Sequence, residues 1–105
     1  MEEPSLAYIK ELSGGNEVFQ ARLIAVVKAE LPEEIAEYEI NMTDHAFDKA
    51  AQNVHKIKHK LGILSLKDSY ELAIEHENQL KSGNDKHKDQ FEKILQSCTD
   101  FISDF

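Results

Sequence analysis

The sequence holds one cysteine, two prolines, four glycines and no tryptophan in 105 residues, and only 8% of it is aromatic. A lone cysteine excludes an intramolecular disulfide and a cysteine-based zinc cluster. Cys98, set among Leu95, Phe101 and Ile102, reads as a packed thiol rather than a nucleophile. Threonine and valine are scarce while Ala, Glu, Lys, Leu and Ile dominate, a balance that favours helix over strand. No run approaches the roughly 18 apolar residues that cross a bilayer, and Met1-Glu2-Glu3-Pro4 lacks the layout of a secretory leader, so a soluble, cytoplasmic domain is expected. Positive charge is in deficit: 12 Lys and Arg against 20 Asp and Glu give a formal net charge of −8, which argues against nonspecific binding to nucleic acid or an anionic membrane. Residues 1–105 read as one domain with no repeat, linker or low-complexity tract.

What is present is helical periodicity. Ser5 can cap a short helix carrying Leu6, Ile9 and Leu12, which Ser13-Gly14-Gly15-Asn16 ends, with Asn16 free to cap the next. From Glu17 to about Ile40, Phe19, Leu23, Val26, Val27, Leu31, Ile35 and Tyr38 form one stripe, and Pro32 is expected to kink that helix without dividing it. Thr43 or Asp44 can cap a third helix whose seam, Phe47, Ala50, Val54, Ile57, Leu61 and Leu64, steps by three and four. After Ser65-Leu66-Lys67-Asp68, a fourth helix carries Leu72, Ala73 and Leu80 with Tyr70 or Ile74, and Ser82-Gly83-Asn84 ends it. The last runs from about Asp85 to Ser103 on Phe91, Ile94, Leu95, Cys98, Phe101 and Ile102. Short connections force neighbouring helices to run antiparallel. The expected fold is therefore all-α, an antiparallel four-helix bundle with an additional short N-terminal helix.

One segment has an unusual composition. Between Lys49 and Lys67 lie five lysines (49, 56, 58, 60 and 67) and no acidic residue, together with His55 and His59 one turn apart. At about 100° per residue with Val54 at zero, His55 falls near +100° and His59 near +140°, both away from the seam. Lys58 lies between His55 and the seam, and Gly62 lies two turns on from His55 along nearly the same line. A neutral imidazole nitrogen can attack a phosphoryl group, and a lysine one turn away can neutralise phosphate oxygens. The plainer alternative is a surface histidine on a solvated basic face.

A metal-binding bundle is the runner-up, because His55 and His59 at i and i+4 can reach one Zn²⁺ and His45, His76 and His87 exist elsewhere. No Glu or Cys accompanies the pair on its own face, so no metal site is assigned. The intervening Lys56-Ile57-Lys58 also rules out a His-Glu-x-x-His hydrolase motif. His45, His76 and His87 read as exposed or helix-end histidines.

The stretch Ala51-Gln52-Asn53-Val54-His55-Lys56-Ile57-Lys58-His59-Lys60-Leu61-Gly62-Ile63-Leu64-Ser65-Leu66 resembles the signature of histidine-containing phosphotransfer (HPt) domains, in which the acceptor histidine is followed by x-[Leu/Ile]-Lys-Gly and small residues. Leu12 to Phe19 is similar to the opening of the family's second helix, and Glu30-Leu31-Pro32-Glu33-Glu34-Ile35 to its proline-containing middle, in the same order and spacing. Two departures stand out: His59 replaces the glycine after the lysine, and Ser65 replaces a glycine near the helix end. His59 thereby becomes a second candidate acceptor or a donor to the phosphoryl group.

The resemblance implies that His55 accepts a phosphoryl group from a phospho-aspartyl receiver or hybrid kinase and passes it to a response-regulator receiver. Lys58 would neutralise phosphate charge, and Glu77, matching a family glutamine, would orient the imidazole. Lys56, His59, Lys60 and Gly62 would meet the partner, with an apolar contribution from Leu12, Val18 or Leu23. Mg²⁺ would come from the receiver, so the domain needs no cofactor of its own and has no autokinase ATP site. It would act as a monomeric carrier, free-standing or as the cytoplasmic C-terminal part of a membrane sensor. A docking module without chemistry is the third reading.

Overall fold

The computed structural model describes residues 2–105. Among them the chain is all-helical: α1 (Ala7–Ser13), α2 (Glu17–Thr43), α3 (Phe47–Ile63), α4 (Lys67–Lys81) and α5 (Lys88–Ile102). It is the expected four-helix bundle, α2 to α5, with α1 as the short extra helix packed on α2. α3 is the central element, lying against both α2 and α4, and α5 closes the bundle on α2 and α4. No helix among the described residues is long and apolar enough to cross a membrane.

Periodicity explains the core. On α3, Ala50, Ala51, Val54, Ile57 and Leu61 are all fully buried, and they meet Leu31 and Tyr38 of α2, Leu80 of α4 and Phe91 and Cys98 of α5 in one cluster. Each large side chain withdrawn from water in this way contributes about 1.5–3 kcal/mol before entropy is counted. Polar side chains set how α2 and α3 align. Asn41 donates from Nδ2 to Asn53 Oδ1 (2.6 Å), Asn53 donates from Nδ2 to Glu37 Oε2 (3.2 Å), and Lys60 Nζ pairs with Glu30 (3.0 Å) and Glu34 (3.1 Å). Sliding one helix along the other would orphan this half-buried ladder.

α2 departs from expectation in its first third. Its 27 residues span about 40 Å at 1.5 Å per residue, whereas the 17 of α3 span about 25 Å, so α2 outruns its partner. Phe19 and Val26, expected in the stripe, are therefore each exposed at 42%, and Leu23 is half-buried; the core begins at Val27. Pro32 lies inside a single continuous helix, on an exposed face.

Helix ends bring further corrections. Asn16 caps α2 as expected, accepting from Phe19 N–H at 3.0 Å. The N-cap of α1 is Leu6, not Ser5, whose hydroxyl accepts from Ala7 N–H at 3.3 Å. The N-cap of α3 is Ala46 without a side-chain bond, because α2 runs on through Thr43, whose hydroxyl donates to Glu39 O (2.9 Å), and Asp44 closes it. α5 starts at Lys88 rather than Asp85, since Asn84 Oδ1 accepts from Lys86 N–H (2.9 Å) and holds residues 84–86 in a turn. The ends of α2, α3 and α4 share one construction, with a left-handed residue, His45 (φ 56°), Ser65 (φ 68°) or Gly83 (φ 79°), followed by an N–H that reaches back five residues to Asn41, Leu61 or Gln79 O. Only the third uses the glycine that this conformation favours.

The largest correction is His76, expected at the surface and found completely buried. Its Nε2 shares a 2.8 Å hydrogen bond with the Tyr38 hydroxyl, and its ring lies 4.9 Å from Phe91. Burial, helped by neighbouring His87, pushes its pKa down from 6.5 to about 4, so the buried ring is neutral.

Candidate functional site

The seam that buries one side of α3 turns His55 outward, with its side chain 54% exposed. α4 packs alongside and places Glu77 opposite, so that Glu77 Oε1 lies 3.2 Å from His55 Nδ1. The carboxylate is itself held: Lys81, one turn along α4, reaches Glu77 Oε2 at 3.2 Å, and Lys58 Nζ lies 3.8 Å from Oε1. Burial opposes ionisation of Glu77, but hydrogen bonds from Lys81 and His55 outweigh it and hold the carboxyl below its ordinary value.

This fixes the tautomer. An ionised carboxylate only accepts, so Nδ1 carries the proton and donates it to Glu77, which leaves the lone pair on Nε2. Nε2 has no hydrogen-bond partner among the described residues. The Lys58 ammonium, 3.4 Å from Nδ1 and 5.8 Å from the Tyr70 ring centre, is then a neighbouring positive charge rather than a donor to that nitrogen.

Of the residues singled out from sequence, His55, Lys58 and Glu77 thus form one cluster, and His59 adjoins it, its ring edge-on to His55 at 5.3 Å and 89°. Gly62 lies further along. A Cβ there would meet Tyr70 at 3.5 Å, an ordinary contact, so what the glycine provides is open space rather than relief from a clash. It helps line an open groove of about 620 Å³ with Tyr8, Glu11, His59, Ser65 and Tyr70, which begins at His59 and does not include His55. Lys56 is exposed; Leu12 and Val18 are exposed on α1 and at the start of α2.

Lys60 is a correction. Five residues from His55, it lies about 140° round the helix, 8% exposed and paired with Glu30 and Glu34, so it faces α2 and is not available to a partner on the His55 face. Burial would lower its pKa, but those two carboxylates more than compensate and raise it. Two contributors were not singled out from sequence: Lys81, detectable as the i+4 partner of Glu77, and Tyr70, which no spacing rule brings beside Lys58. His45 stacks near Phe47 and His87 lies 3.7 Å from Glu75. No group of three or more His, Cys, Asp or Glu positioned to hold a metal ion occurs among the described residues.

The Hpt domain family model matches residues 22–103, most of the chain and all of α3 and α4. The chain belongs to the Hpt domain family. Hpt domains serve histidine phosphotransfer in two-component phosphorelays, where they meet receiver domains and kinases. No curated protein and no solved structure matches the chain significantly. In this Hpt domain the matched span begins inside α2, so α1 lies outside it. Ser65 supports its left-handed turn with bonds of its own: its hydroxyl accepts from Tyr8 N–H (3.0 Å) and donates to Ser5 O (3.3 Å), stitching α1 onto the α3–α4 turn.

Proposed function

We propose that His55 is the phosphoryl acceptor of this Hpt domain and that it carries the group between receiver domains. One observation carries the reading: the His55 side chain is half exposed and its Nε2 has no hydrogen-bond partner among the described residues, while Nδ1 is anchored by an ionised carboxylate. In the step, the Nε2 lone pair forms a bond to phosphorus as the bond from phosphorus to the receiver's aspartyl oxygen breaks, and the bonding pair leaves with the aspartyl carboxylate. The ring becomes positively charged with its Nδ1 proton in place, and Glu77 balances that charge at 3.2 Å. Transfer to a second receiver is the reverse displacement.

Lys58 adds positive charge beside the ring and acts on the phosphoryl group through space. Lys56 lies on the exposed side, where a receiver's acidic, Mg²⁺-holding pocket would approach, so encounter should slow as salt rises. The domain would need no metal of its own and would work as a cytoplasmic monomer. The test is exposure of the purified protein to phosphoramidate, followed by intact mass before and after mild acid. An acid-labile single phosphoryl adduct in the wild type and in His59→Gln, absent from His55→Gln, is the expected result; an adduct that persists in His55→Gln overturns the assignment.

A further inference from the structure

The cation of the motif stands on one side of the acceptor ring only. Lys58 is three residues from His55, about 60° round the helix in one direction, and its ammonium contacts Glu77 and Tyr70, both on α4. That is the side to which Nδ1 points. His59 is four residues on, about 40° round in the opposite direction, away from α4. His59 thus stands on the flank of the ring opposite Lys58, its own ring 5.3 Å away and edge-on, within reach of a phosphoryl group carried on Nε2. Lys58 is engaged on the Nδ1 side, 3.4 Å from that nitrogen and 3.8 Å from Glu77 Oε1.

We infer that His59 donates a hydrogen bond from its ring N–H to an oxygen of the phosphoryl group on His55 Nε2, and is thus a second catalytic residue. This rests on His55 being the acceptor. An imidazole keeps at least one N–H in either protonation state, so the donor is present throughout the ordinary pH range. An N–H aimed at a phosphoryl oxygen strengthens as charge develops on the transferring group, which is where a hydrogen bond assists the chemistry. The two contributions then divide by position: Lys58 sets the field from the Nδ1 side, and His59 touches the oxygens.

The substitution that tests this is His59→Phe, which keeps a ring of similar size and removes both nitrogens; His59 is exposed, so folding is not at stake. Phosphoramidate labelling of His55 should slow about tenfold in His59→Phe and recover in His59→Gln, whose amide again offers an N–H. In the wild type, the side-chain ¹⁵N resonances of His59 should shift when His55 becomes phosphorylated. Wild-type labelling rates in His59→Phe with unmoved His59 resonances would overturn the inference, as would slow labelling in Lys58→Ala alone or an adduct found on His59. Failure of the underlying reading is separately visible, since the wild type would then take no label or His55→Gln would keep it.

Discussion

Two histidines one helix apart show how far surroundings decide what an imidazole does. His55 on α3 is exposed, hydrogen-bonded through one nitrogen to a carboxylate, and its other nitrogen has no partner among the described residues. His76 on α4 is fully buried, bonded to a tyrosine hydroxyl, and surrounded by Phe91, Tyr38 and His87. The first is open enough for a partner to reach, as the proposed transfer requires. The second can only hold the bundle together, because any charge it gained would have to be desolvated.

The contrast is broken most severely at His55. His55→Gln should abolish phosphoryl acceptance, read by intact mass, while thermal stability stays within about 0.5 kcal/mol, as for other exposed positions. His76→Ala should do the converse. A cavity opens beside Phe91 and the Tyr38 hydroxyl loses its partner, so urea unfolding should show a loss of about 3 kcal/mol with the labelling rate of His55 unchanged below the transition.

Acid sharpens the same comparison. In the unfolded chain His76 takes a proton below 6.5, whereas the folded chain resists it until about 4. The stability that this neutral ring contributes is complete above pH 6.5 and is lost as pH falls from 6.5 to 4. The groups around it are Tyr38 from α2, and His87 and Asp85 preceding α5. Urea midpoints measured across that window should fall more steeply in the wild type than in His76→Leu; equal slopes would mean that His76 is not the group responsible.

Smaller effects follow at the supports. Glu77→Ala removes the acceptor that holds the Nδ1 proton, and labelling of His55 should slow about tenfold. An unchanged rate would remove Glu77 from the mechanism. Ser65→Ala should cost about 1 kcal/mol, because it loses the bonds to Tyr8 and Ser5 and keeps the left-handed backbone, while in Ser65→Gly the relief of about 1 kcal/mol offsets that loss. Differential scanning calorimetry of the two variants separates these contributions.

Sequence carried much of the bundle and the heart of the site for reasons that are specific to each element. The seam of α3 was legible because its apolar residues step by three and four without interruption, and the same rotation put His55 and His59 outside. Lys60 was misplaced because it was grouped with its neighbours by charge, although its angle pointed to α2. His76 was missed because attention to apolar letters passes over a histidine, even though it falls between Ala73 and Leu80 on the same inward face. The overextended stripe of α2 has another cause: periodicity states which face a helix would bury, but not whether a neighbour is long enough to cover it.

The overhang of α2 bears on motion as well as packing. Residues 17–26 have α1 for cover, and α1 is tied down chiefly through Ile9, the Ser65 stitch and the Glu2 carboxylate that accepts from Ser69 N–H at 2.7 Å. Amide hydrogens in that stretch should therefore exchange with solvent through a local opening of low free energy, while those from Val27 to Met42 exchange only through global unfolding. The chain would then be a two-speed molecule, in which one end breathes while the hairpin that presents His55 stays shut.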